Sequence, residues 1–212
     1  LAREAVVLII GLAGQAPSWR SRLSSNVRPS PLSMPLLPTT FETPRLVARL
    51  PVPSDAELLF AAYTQDPVVS RYMVWRPHQA LAETTQFVTE CIAASQLETR
   101  FPYVLAKREQ PESPIGMLEA RPLQHCVDLG YVLATAHWGC GYMPEAVAHL
   151  AAIALAQSSV FRVQAFCDVE NKPSQRTLEK AGFQREGRHE RFFVHPNLSP
   201  EPRPCFMYAL CR

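Results

Sequence analysis

The residues best suited to chemistry lie between Leu133 and Glu145. A largely apolar run, Val127-Asp128-Leu129-Gly130-Tyr131-Val132-Leu133, reads as a strand. After it come His137-Trp138-Gly139-Cys140-Gly141-Tyr142-Met143 and then a long helix starting near Pro144. Glycines at alternate positions let the backbone approach a ligand closely. The first amides of the helix have no intrahelical partner and carry the positive end of its dipole. Together they form an anion site suited to a diphosphate. Taken alone, a GxG between strand and helix is equally a tight turn.

The flanking segments must position that loop. Arg45-Leu46-Val47-Ala48-Arg49-Leu50 reads as a strand ended by Pro51. Ser54-Asp55-Ala56-Glu57 is a capping-box pattern that opens a helix through Leu58, Leu59, Ala62 and Tyr63. A second helix spans about Glu83 to Leu97, with Phe87, Val88, Cys91 and Ile92 on one face. Tyr103–Ala106 and Ile115–Ala120 read as strands, the latter after a Pro-rich turn. Pro144 suits the first position of its helix, where an N–H has no partner. Phe161 to Cys167 is a strand with Phe161, Val163, Ala165 and Cys167 on one face. Pro173 opens a shorter helix ending at Gly182, and strands at Phe183–Val194 and Cys205–Cys211 close the chain. Hairpins mixed with a strand–helix–strand crossover imply an α/β (α+β) fold, a mixed sheet flanked by helices.

The motifs occur in a telling order. Leu129-Gly130-Tyr131-Val132-Leu133 precedes Trp138-Gly139-Cys140-Gly141-Tyr142-Met143-Pro144-Glu145-Ala146. Asp168-Val169-Glu170-Asn171-Lys172-Pro173-Ser174 follows, then Leu178-Glu179-Lys180-Ala181-Gly182-Phe183 and Glu186-Gly187. With Thr43-Pro44-Arg45-Leu46, Arg49 and Trp75-Arg76-Pro77-His78, this series resembles the RimJ/RimL-like branch of the GNAT superfamily of N-acetyltransferases over residues 41–212. The resemblance implies a mostly antiparallel twisted sheet with helices on both faces. It implies acetyl-CoA as co-substrate, its diphosphate on the amides of Gly139, Cys140, Gly141, Tyr142 and Met143 behind Trp138. The pantetheine arm then runs beside Tyr131, Val132 and Leu133, with Asn171 and Ser174 near the thioester sulfur.

Some positions depart from the general pattern. Trp138 and Met143 replace the usual first and last residues of the glycine motif, the Trp being usual for this branch. Cys140 stands where many relatives carry Lys or Arg, so affinity must lean on amides and the helix end. Leu178 occupies the place of a Tyr acid found in many GNATs. Gly141→Val should therefore block acetyl-CoA by steric exclusion.

Acyl transfer to an amine needs a deprotonated amine, donors for the developing oxyanion, and preferably a proton for the leaving thiolate. Ser174 is the expected proton donor; its other reading is a helix cap. Glu119, at the end of a strand expected to border the substrate groove, is the expected base; it also reads as a solvent-facing strand residue. Asp128, His189 and Glu190 are weaker choices, and a water chain also suffices. Tyr131 faces either the acceptor or the core, and Trp75 lies where relatives form the acceptor wall. His195, before Pro196, marks a loop, and no metal is expected.

Composition bounds the rest. Hydrophobic residues at 47% and charged residues at 19% describe a soluble globular chain. A net charge of +2 excludes a strong nucleic-acid footprint. The run Val6–Leu12 is too short to span a bilayer, so no membrane partner is expected. Six cysteines without CxxC spacing read as reduced, largely core thiols of a cytoplasmic protein, monomer or homodimer. Residues 1–40 read as a disordered or weakly ordered extension, with Met34 the expected natural start. The acceptor is a small-molecule amine or a protein N-terminus. Two other classes remain: a non-catalytic acyl-CoA-binding module, and a nucleotide-binding domain, which lacks both GKS/T and GxGxxG.

Overall fold

Alternating apolar residues build a single eight-stranded sheet. The structure, a computed structural model, describes residues 36–212. The expected start at Met34 and the part of the expected extension before residue 36 lie outside the described residues. Packing reaches back ahead of residue 41: Leu37 is buried, and the Pro38 carbonyl accepts from the Tyr103 hydroxyl at 2.6 Å.

The strands are β1 (Thr40–Glu42), β2 (Leu46–Arg49), β3 (Phe101–Lys107), β4 (Gln110–Leu123), β5 (Cys126–Leu133), β6 (Arg162–Asp168), β7 (Gln184–Phe193) and β8 (Arg203–Cys211). Their spatial order is β1-β2-β3-β4-β5-β6-β8-β7. Neighbours are antiparallel except β5 and β6, which are parallel. The crossover joining that pair carries α4 (Tyr142–Leu155). The mixed, mostly antiparallel sheet with flanking helices is as expected.

Strand alternation gives the sheet two apolar faces. Leu118, Ala120, Leu129, Tyr131 and Leu133 face α4 and α5 (Lys172–Lys180). Val104, Met117 and Val132 share the other core with residues of α1 (Asp55–Leu59) and α3 (Leu81–Gln96), the short α2 (Pro67–Ser70) lying between these two in the chain. On α4, Met143, Ala146, Val147, Leu150, Ala151 and Ala154 are buried, a stripe at helical spacing. Its small residues let the helix settle close to the sheet. Among the described residues no helix is long and apolar enough to cross a membrane.

Four local expectations are corrected. The capping box does not form: Ser54 has helical backbone angles and makes no side-chain cap bond. Asp55 organises that corner instead, accepting the Val52 amide at 2.7 Å and both Arg49 guanidinium nitrogens at 2.7 and 2.8 Å. A charge-assisted bidentate pair outcompetes a neutral hydroxyl cap. α4 starts at Tyr142, so Pro144 is its third residue, still within the turn that lacks intrahelical acceptors. Pro111 and Pro114 lie inside β4, which absorbs them by register shifts opposite Ala106 and Lys107. Phe161 precedes β6 and is 53% exposed, so it does not join the buried face of Val163, Ala165 and Cys167.

Candidate active site

β5 and β6 pair only through Cys126↔Arg162, Val127↔Val163 and Asp128↔Gln164. Beyond that, β5 follows β4 to Leu133 and β6 follows β8 to Asp168. The parallel strands therefore diverge and leave a wedge between residues 129–133 and 165–168. Backbone groups on the wedge side of β5 have no strand partner there. Buried main-chain groups require partners, and an extended ligand can supply them as a strand would. The wedge opens at the C-terminal ends of two parallel strands, where the crossover delivers the start of α4.

The glycine loop stands at that opening. Gly139 has φ +81° and Gly141 φ +75°, left-handed angles that other residues rarely adopt. Gly141 is the N-cap of α4. Arg45 fixes the loop from outside: Nη1 donates to the Cys140 carbonyl at 2.8 Å and Nη2 to the Gly141 carbonyl at 3.1 Å. In a planar trans peptide the next N–H points opposite to the carbonyl. Holding those carbonyls outward thus aims the Gly141 and Tyr142 amides at the other side, as an anion cradle requires.

Arg45 is itself held. Its Nε donates to Glu145 Oε2 at 2.6 Å, its backbone N–H to Glu145 Oε1 at 3.0 Å, and its guanidinium lies 4.7 Å from the Tyr142 ring centre. Thr43 Oγ1 also donates to Glu145 Oε1, at 2.6 Å. Burial pushes the Glu145 carboxyl up, but the hydrogen bonds from Thr43 and Arg45 outweigh it and hold it below its ordinary value. The clamp is complete above the ordinary carboxylate range and is lost as pH falls through that lower folded value.

The remaining loop residues have separate tasks. Trp138 donates its indole N–H to the Leu133 carbonyl at 2.7 Å, tying the loop to the end of β5. Met143 is fully buried, so its side chain anchors α4 and only its backbone faces the loop. Cys140 is an exposed free thiol.

Asn171, Ser174 and Tyr131 meet beneath the sheet, on the face of α4 and α5. The Asn171 side chain caps α5, accepting the Ser174 amide at 3.2 Å. Ser174 is therefore the capped residue rather than the cap. Its hydroxyl shares a hydrogen bond of 2.9 Å with the Tyr131 hydroxyl, and both residues are fully buried. Tyr131 takes the core alternative, and burial raises its phenol well above the ordinary value.

Val132, one residue along, faces the opposite way and lines a cavity of about 190 Å³. That is room for several water molecules, and so for a compact group. Trp75, Val74, Tyr63 and Phe87 supply apolar wall; His78, Glu83, Glu90 and Arg100 supply polar groups. Trp75 thus lines this cavity beside β5. Asn197 secures its segment, donating to the Ser70 and Trp75 carbonyls at 2.6 and 2.8 Å. His195, in the loop expected for it, sits buried beside the Tyr72 carbonyl at 2.9 Å.

The expected bases are placed differently. Glu119 lies within β4, not at its end, and is fully buried. Its two oxygens pair with Arg100 Nη1 and Arg121 Nη1, each at 3.2 Å. Burial pushes its carboxyl up against the pull of both guanidiniums. Glu119 thus holds Arg100 at the cavity wall rather than lining the cavity itself. Asp128 is engaged by Arg121 at 2.6 Å. His189 and Glu190 are exposed on β7, at the sheet edge and separated from the wedge by β8. Among the described residues no group of three His, Cys, Asp or Glu side chains is placed to hold a metal ion. Sequence reasoning missed Arg45 and His78 as individual actors, although both lie in segments that carried the resemblance.

Residues 45–184 match the sequence model of the acetyltransferase (GNAT) domain family. The chain is 26% identical over 161 residues to the uncharacterized N-acetyltransferase YoaA of Bacillus subtilis (strain 168), covering 75% of this chain and 90% of that protein. Its fold is similar to the microcin C7 self immunity acetyltransferase MccE, solved with acetyl-CoA and AMP, at TM-score 0.73 and 18% identity over 84% of this chain and 99% of that one. It is also similar to RimL, a ribosomal L7/L12 alpha-N-protein acetyltransferase solved with coenzyme A, at TM-score 0.70 and 18% identity over 82% and 97%.

Proposed function

Because the chain belongs to the GNAT acetyltransferase family and is an acetyl-CoA-dependent acetyltransferase, we propose that it acetylates a primary amine by direct attack in a ternary complex. Acetyl-CoA supplies the acetyl group as a thioester. The single observation that carries this reading is the meeting of wedge, glycine loop and cavity at the end of β5. Val132 contributes backbone to the wedge and side chain to the cavity. An amine entering the cavity and an acyl chain lying along β5 therefore approach one another from two sides of one strand.

In this reading the amides of Gly139 to Met143 hold the diphosphate, and Asn171 keeps α5 in place below the wedge. The acceptor is a protein N-terminal α-amine or a small-molecule amine. Amine acidity supports the first. An α-amine has an ordinary pKa of about 7.7–8.0, an alkyl amine about 10.4. Near neutral pH the α-amine holds roughly two orders of magnitude more free base. The cavity wall offers only carboxylates and an imidazole to take a proton. Six unpaired cysteines support a reducing, cytoplasmic setting.

The test is a CoA-release assay with mass spectrometry of products. It uses 2-phenylethylamine, tryptamine, putrescine and tetrapeptides beginning with Ala or Ser. Acetylated amine with matching CoA release is expected. Tight acetyl-CoA binding without acceptor-stimulated release would indicate an acyl-CoA-binding module instead.

Two variants probe the supports. Arg45→Ala frees the loop carbonyls and should raise the Kd for acetyl-CoA about tenfold, a loss of about 1.4 kcal/mol, read by calorimetry. Ser174 can donate to a departing thiolate only while the Tyr131 hydroxyl is the donor of their shared hydrogen bond. Ser174→Ala should lower kcat less than about tenfold and cost about 1 kcal/mol of stability, read by steady-state kinetics and denaturant unfolding.

A further inference from the structure

The cavity wall holds one imidazole built into a buried hydroxyl chain. His78 Nδ1 lies 2.7 Å from Thr84 Oγ1, and Thr84 Oγ1 lies 3.0 Å from Thr64 Oγ1. Both threonines are buried, at 0% and 1% exposure. The His78 backbone N–H donates to the Thr64 carbonyl at 2.9 Å, fixing the residue at both ends. Its ring lies 5.2 Å from Trp75 and 6.4 Å from Phe87, centre to centre. The chain thus occupies one ring nitrogen, while the residue itself lines the cavity shared with Val132. Among the described residues no hydrogen bond engages Nε2.

We propose that His78 is the general base of the acetyl transfer, with Nδ1–H donated to Thr84 and Nε2 accepting the proton of the acceptor ammonium. This rests on the proposed amine acetylation. The ammonium gives one proton to Nε2, forming an imidazolium, and its nitrogen gains a lone pair. That nitrogen bonds to the acetyl carbon as the carbon–sulfur bond breaks. CoA leaves as the thiolate, which takes the proton lost from the new amide nitrogen, and the imidazolium returns its proton to solvent.

The surroundings suit this cycle. Burial lowers the imidazole below its ordinary value, with Glu83 pulling the other way, so the base form prevails at neutral pH. Glu83 and Glu90 from α3 and Arg100 at the end of the helix–β3 connection are the charged groups facing the same cavity. Glu83 also accepts the Gln79 amide at 2.6 Å, which holds the approach to the helix beside His78. Glu119, by contrast, has both oxygens engaged by arginines.

The test combines kinetics on the amine panel with ¹⁵N NMR of the imidazole in the full chain. In wild-type protein, kcat/KM should fall as pH drops through a midpoint below about 6.5. NMR should show the Nδ1–H tautomer, with Nε2 titrating at that midpoint. His78→Gln should lose about 100-fold or more in kcat, lose that acid limb, and keep its Kd for acetyl-CoA. Turnover within threefold of wild type, a surviving acid limb, or an Nε2–H tautomer would overturn the assignment and leave amine acetylation standing. No turnover by the wild type on any panel amine would remove amine acetylation itself, and His78 as its base with it.

Discussion

Gly141→Val is expected to lower the affinity for acetyl-CoA at least about 100-fold and to leave the protein folded. The sequence suggested steric exclusion, and the structure changes the reason. A Cβ at Gly141 would meet only Arg45 Nη2, at an ordinary 3.5 Å. The backbone is what forbids the side chain: at φ +75° a β-branched residue is a genuine outlier. Holding it there costs about 1–3 kcal/mol. If the loop relaxes to right-handed angles, the Cys140 and Gly141 carbonyls leave Arg45, and the amides aimed by them turn away. Each hydrogen bond to a charged group contributes about 1.5–3 kcal/mol, so losing two exceeds a 100-fold change. α4 stays anchored by Met143, Ala146, Val147 and Leu150, so melting should move by only a few degrees. Calorimetry with acetyl-CoA, paired with a thermal melt, separates the two effects. Unchanged affinity in a folded variant would remove the loop from the binding site.

Glu119→Ala has the largest expected effect on stability. The carboxylate sits fully buried between Arg100 and Arg121. Arg121 also donates to Asp128 at 2.6 Å and 3.1 Å, so the two acids and two bases form one network across β4, β5 and the start of β3. Removing one member of a buried pair leaves its partners desolvated and uncompensated, a loss of about 3–5 kcal/mol. For a domain of this size that is a fall in Tm of about 10 °C. Because Arg100 also lines the cavity, any protein that remains folded should show a raised KM for the acceptor with little change in that for acetyl-CoA. Glu119→Gln keeps hydrogen-bond acceptance to one arginine and should fall between the two. A melting shift under about 2 °C for Glu119→Ala would show that the network carries little of the stability.

The glycine loop was legible because its chemistry is local. A strand, two glycines and a helix start are contiguous, and backbone groups need no distant partner to be recognised. The sheet was legible for the same reason, since apolar runs such as Leu129 to Leu133 are contiguous in the chain. Arg45 was not, because its acceptors lie 95 and 96 residues away and no period links them. Ser54 misled because a capping box is a pattern of neighbours, and nothing in that pattern reports the pull of Arg49 on Asp55. Tyr131 and Val132 illustrate the limit of strand geometry: neighbours face opposite sides, but which side holds the cavity depends on where α1 and α3 pack. Glu119 looked like a strand-end base, yet the strand runs on to Leu123 and two arginines close over it. His78 becomes visible only when Thr84, six residues on, and Thr64, fourteen residues back, come together around it.

In the proposed complex acetyl-CoA lies in the wedge with its diphosphate on the glycine-loop amides. Backbone ¹⁵N NMR during an acetyl-CoA titration tests it most directly. The largest amide shifts should fall at Gly139, Gly141 and Tyr142, joined by Val132 and Leu133 along β5. Saturable binding with shifts confined to other parts of the chain, and these amides unmoved, would contradict it.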